Sequence, residues 1–160
     1  MIYVSREVAT KESVPSGQPK LSRSDIWKGL VMKAENALPF VPGMAKCSIV
    51  ERKPNGLIRD IIFRGEDARE RVTLYPEKKV VFVRESGNVD GFIVNEVLGS
   101  DDDLRLRFSF ALQLVDAPSD SPEENELRQV MERDYVKAVD ATLGAIRKMV
   151  ADPQYAKATV

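Results

Sequence analysis

Four polar side chains stand where a strand or a helix would place them among apolar neighbours. Arg59, Glu70 and Asn95 alternate with apolar residues in three strand-like segments, and Tyr135 lies on the apolar stripe of a helical segment. If these faces point inward, the four side chains line one cavity and can bind a carbonyl, a hydroxyl or a carboxylate. Arg59 would act as a forked donor and Glu70 as an acid or base. The predicted ligand-binding residues are Arg59, Glu70, Asn95, Phe108, Met131 and Tyr135, with Glu70 as the candidate catalytic residue.

The two charged positions also have a structural interpretation. Charged residues are seldom buried without a partner. Arg59 and Glu70 would then form an ion pair with each other. Alternatively, both would face water, together with Arg71, Arg84 and Glu85.

Asn95, Tyr135 and Cys47 have structural alternatives as well. The Asn95 amide would satisfy a backbone group at a bulge, and Tyr135 would pack while its hydroxyl reaches solvent. Cys47 lies in an apolar strand with no evident base to activate it, so a small buried hydrophobe is the preferred interpretation.

The residue inventory excludes several kinds of site. The 160 residues include one cysteine and no histidine, so a zinc site and a histidine-based triad are not expected, and no disulfide can form within the chain. No glycine-rich phosphate loop precedes a helix, which argues against a nucleotide site. We therefore expect no metal and no cofactor.

The charge pattern also limits the partners. The 24 basic and 25 acidic residues are interspersed, so we expect no nucleic acid partner. No run of 18 apolar residues and no basic leader with an apolar run is present, which predicts a cytoplasmic protein without a membrane span. The expected partner is a small hydrophobic ligand, and the expected state is a monomer or a dimer.

The first third of the chain predicts a strand, a loop and a short helix. A strand over 2–11 is followed by a loop over 13–19 that is rich in breaking residues. Ser22 and Asp25 form a capping-box pattern at the start of a helix that should end before Pro39. Trp27 is the expected core anchor of this helix. The apolar, proline-rich segment 38–43 is expected to pack as a lid or plug.

Short strands with turns between them follow, from about residue 45 to residue 115. Asn55-Gly56 predicts a tight hairpin with positive φ angles. A second hairpin would turn at residues 76–79. If residues 74 and 81 face each other, one side of this hairpin carries Val72, Leu74, Val81 and Val83.

The last strand and the last helix have the clearest patterns. Apolar residues alternate with polar or small ones from Leu104 to Leu114, as in a strand with one buried face. A capped, unbroken amphipathic helix is predicted from about Pro122 to Val150. Its stripe includes Tyr135, Ala145 and Met149. Such a helix can lie across the concave face of a curved antiparallel sheet and leave a cavity between them.

The order of these elements resembles the START-like, Bet v 1-like superfamily (SRPBCC). Segments 21–30, 39–43 and 69–74 and the strand around Asn95 are similar to its AtaL-like branch. The resemblance implies an α+β helix-grip fold, with a seven-stranded curved antiparallel sheet around a long C-terminal helix and a short helix between strands 1 and 2. It implies a single domain over 1–152, and the segment 153–160 is expected to be a flexible tail. Members of the superfamily carry lipids, sterols, plant hormones or polyketides, and some catalyse cyclisation or dehydration.

Three functions are consistent with these features. The first is binding of a lipid-like or polyketide-like metabolite in the cavity. The second is a cyclase, dehydratase or isomerase that uses Glu70 as acid or base, which needs several side chains to point inward together. The third is a protein-interaction scaffold, although the charged outer face offers no large apolar patch.

Overall fold

The computed structural model describes residues 1–11, 20–135, 137–152 and 154. The predicted loop over 13–19 lies outside the described residues, and so does the predicted tail over 153–160 apart from residue 154. Among the described residues, no helix is long and apolar enough to cross a membrane.

The described chain forms an α+β fold on one antiparallel sheet. The elements in chain order are β1 (Ile2–Ala9), α1 (Arg23–Glu35), β2 (Met44–Lys53), β3 (Gly56–Phe63), β4 (Glu66–Tyr75), β5 (Lys79–Ser86), β6 (Val89–Leu98), β7 (Arg105–Leu114), α2 (Pro122–Val130), a π-helical turn (Met131–Tyr135) and α3 (Lys137–Ala151). The described strands form a seven-stranded sheet in the order β1-β7-β6-β5-β4-β3-β2, with antiparallel neighbours throughout. The predicted helix-grip fold class is confirmed.

Helix α1 begins and ends as predicted. The Ser22 hydroxyl accepts a hydrogen bond from the Asp25 amide at 3.0 Å, and the Asp25 carboxylate accepts one from the Ser22 amide at 2.9 Å. This reciprocal capping box satisfies amides that have no partner within the helix. The helix ends at Glu35, before Pro39.

The core lies between the inner face of the sheet and helices α1 and α3. Ile26 of α1 and Val139 and Ile146 of α3 are fully buried there. Gly29 allows the two helices to approach closely, because a Cβ atom at this position would collide with the Ile146 side chain. Trp27 is half-buried and packs against this core.

Segment 38–43 packs against the core, as its apolar composition predicts. Phe40 is 4% exposed, and Val41 contacts the core cluster. Val41, Pro42 and Gly43 line the cavity described below. We call it the plug segment, although its inward packing is limited to Phe40 and Val41, and its other four residues are exposed.

The predicted hairpin between β2 and β3 is present, but its turn differs from the expectation. Lys53 pairs with Gly56, so Pro54 and Asn55 form the loop. The positions with positive φ in the described part of the chain include neither Asn55 nor Gly56. Gly56 serves a close approach instead, because a Cβ atom there would collide with the carbonyl oxygen of Val72 on β4.

The predicted register between β4 and β5 is wrong by one residue. Leu74 pairs with Val80 rather than with Val81. The loop is shorter than expected, because Tyr75 already pairs with Lys79 and Glu77 adopts a left-handed backbone with φ of 60°. Side chains alternate along a strand, so a slip of one residue exchanges the two faces of β5. No common face is therefore shared by Val72, Leu74, Val81 and Val83.

The C-terminal helical segment is not one unbroken α-helix. The π-helical turn over Met131–Tyr135 interrupts it. A π turn holds one more residue than an α turn, which rotates the following residues by about 100° around the axis. The buried face of α3 runs through Val139, Thr142 and Ile146, whereas Ala145 and Met149 of the predicted stripe are half-buried.

Candidate functional site

A cavity of about 740 Å³ lies between the inner face of the sheet and the C-terminal helical segment. Strands β2 to β7, the plug segment, α1, the π turn and the first residues of α3 all contribute to its lining. The volume falls within the range of about 300–1,000 Å³ that is usual for small-molecule sites.

Aromatic side chains form much of the cavity wall. The Tyr135 ring packs against Phe63 and Phe110, with centroids 5.4 Å apart in each pair. The Phe108 ring lies 6.5 Å from Phe110 in an edge-on arrangement, which is a favourable geometry. Burial raises the pKa of Tyr135, so its hydroxyl remains a neutral hydrogen-bond donor at neutral pH.

Three charged side chains meet on neighbouring strands at one end of the cavity, and we call them the Glu70 cluster. Arg59 of β3, Glu70 of β4 and Arg84 of β5 are direct cross-strand partners. Glu70 Oε1 accepts a hydrogen bond from Arg59 Nε at 3.0 Å and lies 2.9 Å from Nη2. Glu70 Oε2 lies 3.2 Å from Arg84 Nε. Arg59 and Glu70 both point inward and are buried, and their ion pair is the first of the two structural alternatives.

Arg59 also connects the sheet to α1. Its Nη1 donates to the carbonyl oxygens of Lys33 and Ala34, each at 2.9 Å. These carbonyls belong to the last turn of the helix, where they lack helical partners and the helix dipole favours a cation. Most donors of Arg59 are therefore used by the protein, which leaves little of the forked donor that the sequence suggests for a ligand.

Arg84 is less completely satisfied than Arg59. Its buried Nε has no hydrogen-bond partner among the described residues, despite the nearby Glu70 carboxylate. Its side chain lines the cavity and is 9% exposed, so the alternative that places it in water is wrong. The reason is the register of β5, which turns Arg84 to the inner face. Two guanidinium groups around one carboxylate leave this end of the cavity positively charged.

Lys33 of α1 is buried beside the Glu70 cluster. Its Nζ donates to Asn95 Oδ1 at 2.6 Å and lies 4.9 Å and 4.6 Å from the ring centroids of Phe82 and Phe108. Burial lowers the pKa of Lys33 to about 7, and the positive charge of Arg59 acts in the same direction. A substantial fraction of this amine is therefore uncharged at neutral pH.

The apolar spacing of α1 partly predicts the burial of Lys33. Lys33 follows Ile26 by seven residues and Leu30 by three, which is the spacing of the apolar stripe. A lysine on such a stripe commonly extends its amine to solvent. The stripe therefore predicts that Lys33 lies on the core-facing side of α1, but it does not predict that its amine is buried.

Two predicted ligand-binding residues lie behind the cavity wall. Asn95 faces inward, but it is fully buried and its amide oxygen accepts a hydrogen bond from Lys33. Met131 is also fully buried and belongs to the core. The predicted residues that line the cavity are Arg59, Glu70, Phe108 and Tyr135.

The mouth of the cavity carries Arg64, Asp134 and Lys137. Arg64 Nη1 donates to Asp134 Oδ2 at 2.6 Å. Hydrogen bonds from Arg133 and Arg64 lower the pKa of Asp134 to about 2, so its carboxylate is ionised at neutral pH. Of the described residues that line the cavity, five are basic and two are acidic. The lining is therefore cationic, although the chain as a whole is nearly neutral.

The donor set of the site contains no evident metal centre. Within the described ranges, no group of three or more histidine, cysteine or acidic side chains is arranged to hold a metal ion. The lining supplies cationic donors, ion-paired carboxylates, a phenol and a buried amine.

Comparison with protein families covers nearly the whole chain. The family described as acetylaranotin biosynthesis cluster protein L, AtaL, matches residues 8–153. The chain belongs to the AtaL family. The matched range includes every cavity residue named above, and it confirms the predicted branch. Among curated proteins, none matches the sequence.

Solved structures share the fold of this AtaL-family chain at low sequence identity. The Zhui aromatase/cyclase from Streptomyces sp. R1128 is 20% identical, with a TM-score of 0.67 and coverage of 92% of this chain and 94% of that chain. Ara h 8.0201 is 14% identical, with a TM-score of 0.58 and coverage of 92% and 96%. A START superfamily protein from Mycobacterium smegmatis is 16% identical, with a TM-score of 0.59 and coverage of 89% and 97%. These similarities confirm the START-like fold of the chain, and they show the fold alone.

A second, smaller cavity of about 390 Å³ adjoins the first in this AtaL-family chain. Phe63, Arg64, Arg84 and Tyr135 line both spaces. The Phe63–Tyr135 ring pair therefore stands between them. We take the larger cavity as the candidate site because it combines the aromatic wall with the Glu70 cluster and Lys33.

Proposed function

We propose that this protein binds a small hydrophobic metabolite, lipid-like or polyketide-like, in the larger cavity. One observation carries the proposal: a space of about 740 Å³ has aromatic walls and a group of cationic side chains at one end. Apolar walls with a few convergent polar groups are typical of small-molecule sites. The shared fold supports the presence of a cavity, but a fold does not identify a ligand or a reaction.

The polar end of the cavity favours a ligand that carries an oxygen-bearing group. Arg84 lines the cavity with its guanidinium group, whose buried Nε lies 3.2 Å from Glu70 Oε2. A carboxylate, enolate or carbonyl oxygen would accept from this group and offset the positive charge that Glu70 leaves uncompensated. The expected ligand is therefore amphipathic, with its apolar part along Phe63, Phe110 and Tyr135.

Acid–base catalysis by Glu70 has less support. Each of its carboxylate oxygens lies within 3.2 Å of an arginine nitrogen. An acid or base must reach the substrate and exchange a proton with it. Glu70 is instead engaged in holding two buried cations, so its catalytic role stays a prediction that requires loss of turnover in a Glu70→Gln variant that still folds.

Dye binding and native mass spectrometry test the proposal. The fluorescent anion 1-anilinonaphthalene-8-sulfonate is expected to bind the wild-type protein, and decanoate or the aromatic polyketide emodin is expected to displace it. Ile93→Trp places a large ring in the cavity from β6. We expect this change to weaken dye binding by at least about tenfold, or about 1.4 kcal/mol.

Val94→Trp is the matched control, because it puts the same side chain on the opposite face of the same strand. We expect it to change the affinity by less than about twofold. Undiminished binding in a folded Ile93→Trp variant would contradict the proposed location. Failure of all three compounds to bind the wild-type protein would contradict the proposed function.

A further inference from the structure

Lys33 presents a primary amine inside a cavity whose wall is otherwise aromatic at this point. Its Nζ lies between the rings of Phe82 and Phe108 and is held by the Asn95 amide oxygen. The side chain is 6% exposed and belongs to the cavity lining. The Lys33 side chain therefore borders the space that a ligand would occupy.

The acidic side chains of the cavity lining are engaged elsewhere. Glu70 is bound by Arg59 and Arg84, and Asp134 is bound by Arg64. Lys33 therefore keeps an amide and two ring faces as its closest partners, which do not neutralise an ammonium charge.

The electrostatic surroundings favour the uncharged amine. Burial and the guanidinium of Arg59 on β3 lower the pKa of Lys33, while Glu70 on β4 and Cys47 on β2 oppose them, with a net value of about 7. An uncharged, desolvated lysine amine is a nucleophile toward carbonyl carbon.

We propose that Lys33 captures an aldehyde or ketone group of the bound hydrophobic molecule as a Schiff base. This inference rests on the proposed function, since it assumes that the cavity admits a small apolar molecule. It specifies the ligand class further: the ligand carries a reactive carbonyl at the end that reaches Lys33.

The covalent step is a condensation. The lone pair of the Lys33 amine forms the C–N bond with the carbonyl carbon, and the carbonyl π electrons move to oxygen, which takes up a proton. The resulting carbinolamine loses its hydroxyl group as water while nitrogen forms the C=N bond. The amine gives up two hydrogens, the carbonyl gives up its oxygen, and no electrons are gained or lost.

The two rings favour the product in the same way as they favour an ammonium group. A protonated Schiff base is a cation, and the faces of Phe82 and Phe108 interact favourably with cations. The Asn95 amide holds the nitrogen at the cavity wall before the reaction. Lys137 also lines the cavity, but it is exposed at the mouth and lacks this enclosure.

Reductive trapping tests the proposal. The purified protein is incubated with 2-naphthaldehyde and sodium cyanoborohydride, which donates hydride to a C=N bond and fixes it as a secondary amine. We expect intact-mass analysis to show one added naphthylmethyl group and peptide mapping to place it on Lys33. Loss of this adduct is expected in Lys33→Met and in Lys33→Arg, which keeps a positive charge but has no primary amine.

Lys148→Met serves as the control, because Lys148 is exposed on α3 and does not line the cavity. This variant should form the adduct as the wild-type protein does. The rate of trapping in the wild-type protein should rise through about pH 7, whereas surface lysines require a much higher pH. Adducts on Lys137 or spread over surface lysines would overturn the proposal.

The alcohol 2-naphthalenemethanol separates this inference from the proposed function. It has nearly the same shape as the aldehyde but cannot form an imine. If the alcohol displaces the fluorescent dye and the aldehyde yields no adduct on Lys33, the Schiff base is refuted and the binding function stands. If neither compound displaces the dye and no adduct forms, both proposals are contradicted.

Discussion

The Glu70 cluster and Lys33 are buried charged groups at the same end of one cavity, but they meet the cost of burial differently. In the cluster, one carboxylate lies within 3.2 Å of nitrogens from two guanidinium groups. Lys33 has an amide oxygen and two ring faces instead, and Arg59 next to it has the same sign of charge. Opposite charges compensate one another in the Glu70 cluster, whereas burial of Lys33 becomes less costly when its amine loses its proton.

The difference separates a structural role from a chemical one. A carboxylate with guanidinium groups on both oxygens holds three strands and α1 together. An amine without an opposite charge of its own is the group whose protonation changes near neutral pH. Perturbed groups of this second kind are the better candidates for function.

The largest expected effect comes from removing the shared carboxylate. Glu70→Gln leaves two buried guanidinium groups without an anion, so we expect a loss of about 3–5 kcal/mol in the free energy of unfolding. Urea unfolding measures this loss. The control is Glu85→Gln, because Glu85 pairs with the exposed Arg71 at 3.8 Å and its loss should cost less than about 1 kcal/mol. Similar losses in the free energy of unfolding for the two variants would mean that the Glu70 cluster stabilises the fold no more than a surface ion pair does.

The second prediction concerns the way in which Lys33 makes the stability of the protein depend on pH. Its folded-state pKa of about 7 lies below the unfolded value of 10.5, so the unfolded chain binds more protons between these two pH values. The stability of the wild-type protein should therefore rise relative to Lys33→Met as pH increases above 7, by up to about 1.4 kcal/mol per pH unit. Urea unfolding at a series of pH values gives this slope. A flat difference for Lys33→Met would mean that its amine titrates normally.

The smallest effect is expected at the cavity mouth. Asp134→Asn removes an exposed ion pair with Arg64, and the low pKa of Asp134 keeps this carboxylate ionised throughout the neutral range. The unfolding midpoint of the variant should therefore differ little from that of the wild-type protein, by a constant amount from about pH 5 to about pH 9. The stability that this carboxylate contributes should disappear only as pH falls toward 2. A pH-dependent difference near pH 7 would contradict the low pKa of Asp134.

Strand alternation was sufficient to predict one part of the site. Arg59, Glu70 and Asn95 share inner faces with apolar neighbours on β3, β4 and β6, and all three are buried. The shared faces could be predicted because the period of a strand depends only on local backbone geometry, but that period does not decide which face points inward. The capping box of Ser22 and Asp25 is local in the same sense.

Features that depend on turn geometry or distant packing were not predictable. The inward orientation of Arg84 depends on the left-handed Glu77 in a turn that looks one residue longer in the sequence. The burial of Lys33 depends on contact with Asn95, 62 residues away along the chain. The additional residue of the π turn has no signal in the apolar pattern, which continues through it.

The buried amine of Lys33 has a consequence for the titration of the protein near neutral pH. Most proteins take up and release protons around neutrality through their imidazole groups, and this chain has none. Ordinary carboxylic acids ionise well below that interval and ordinary lysines well above it. The amino terminus and cysteine thiols also ionise near this interval, so proton exchange between about pH 6 and about pH 8 that is lost in Lys33→Met is expected to report on the enclosed amine.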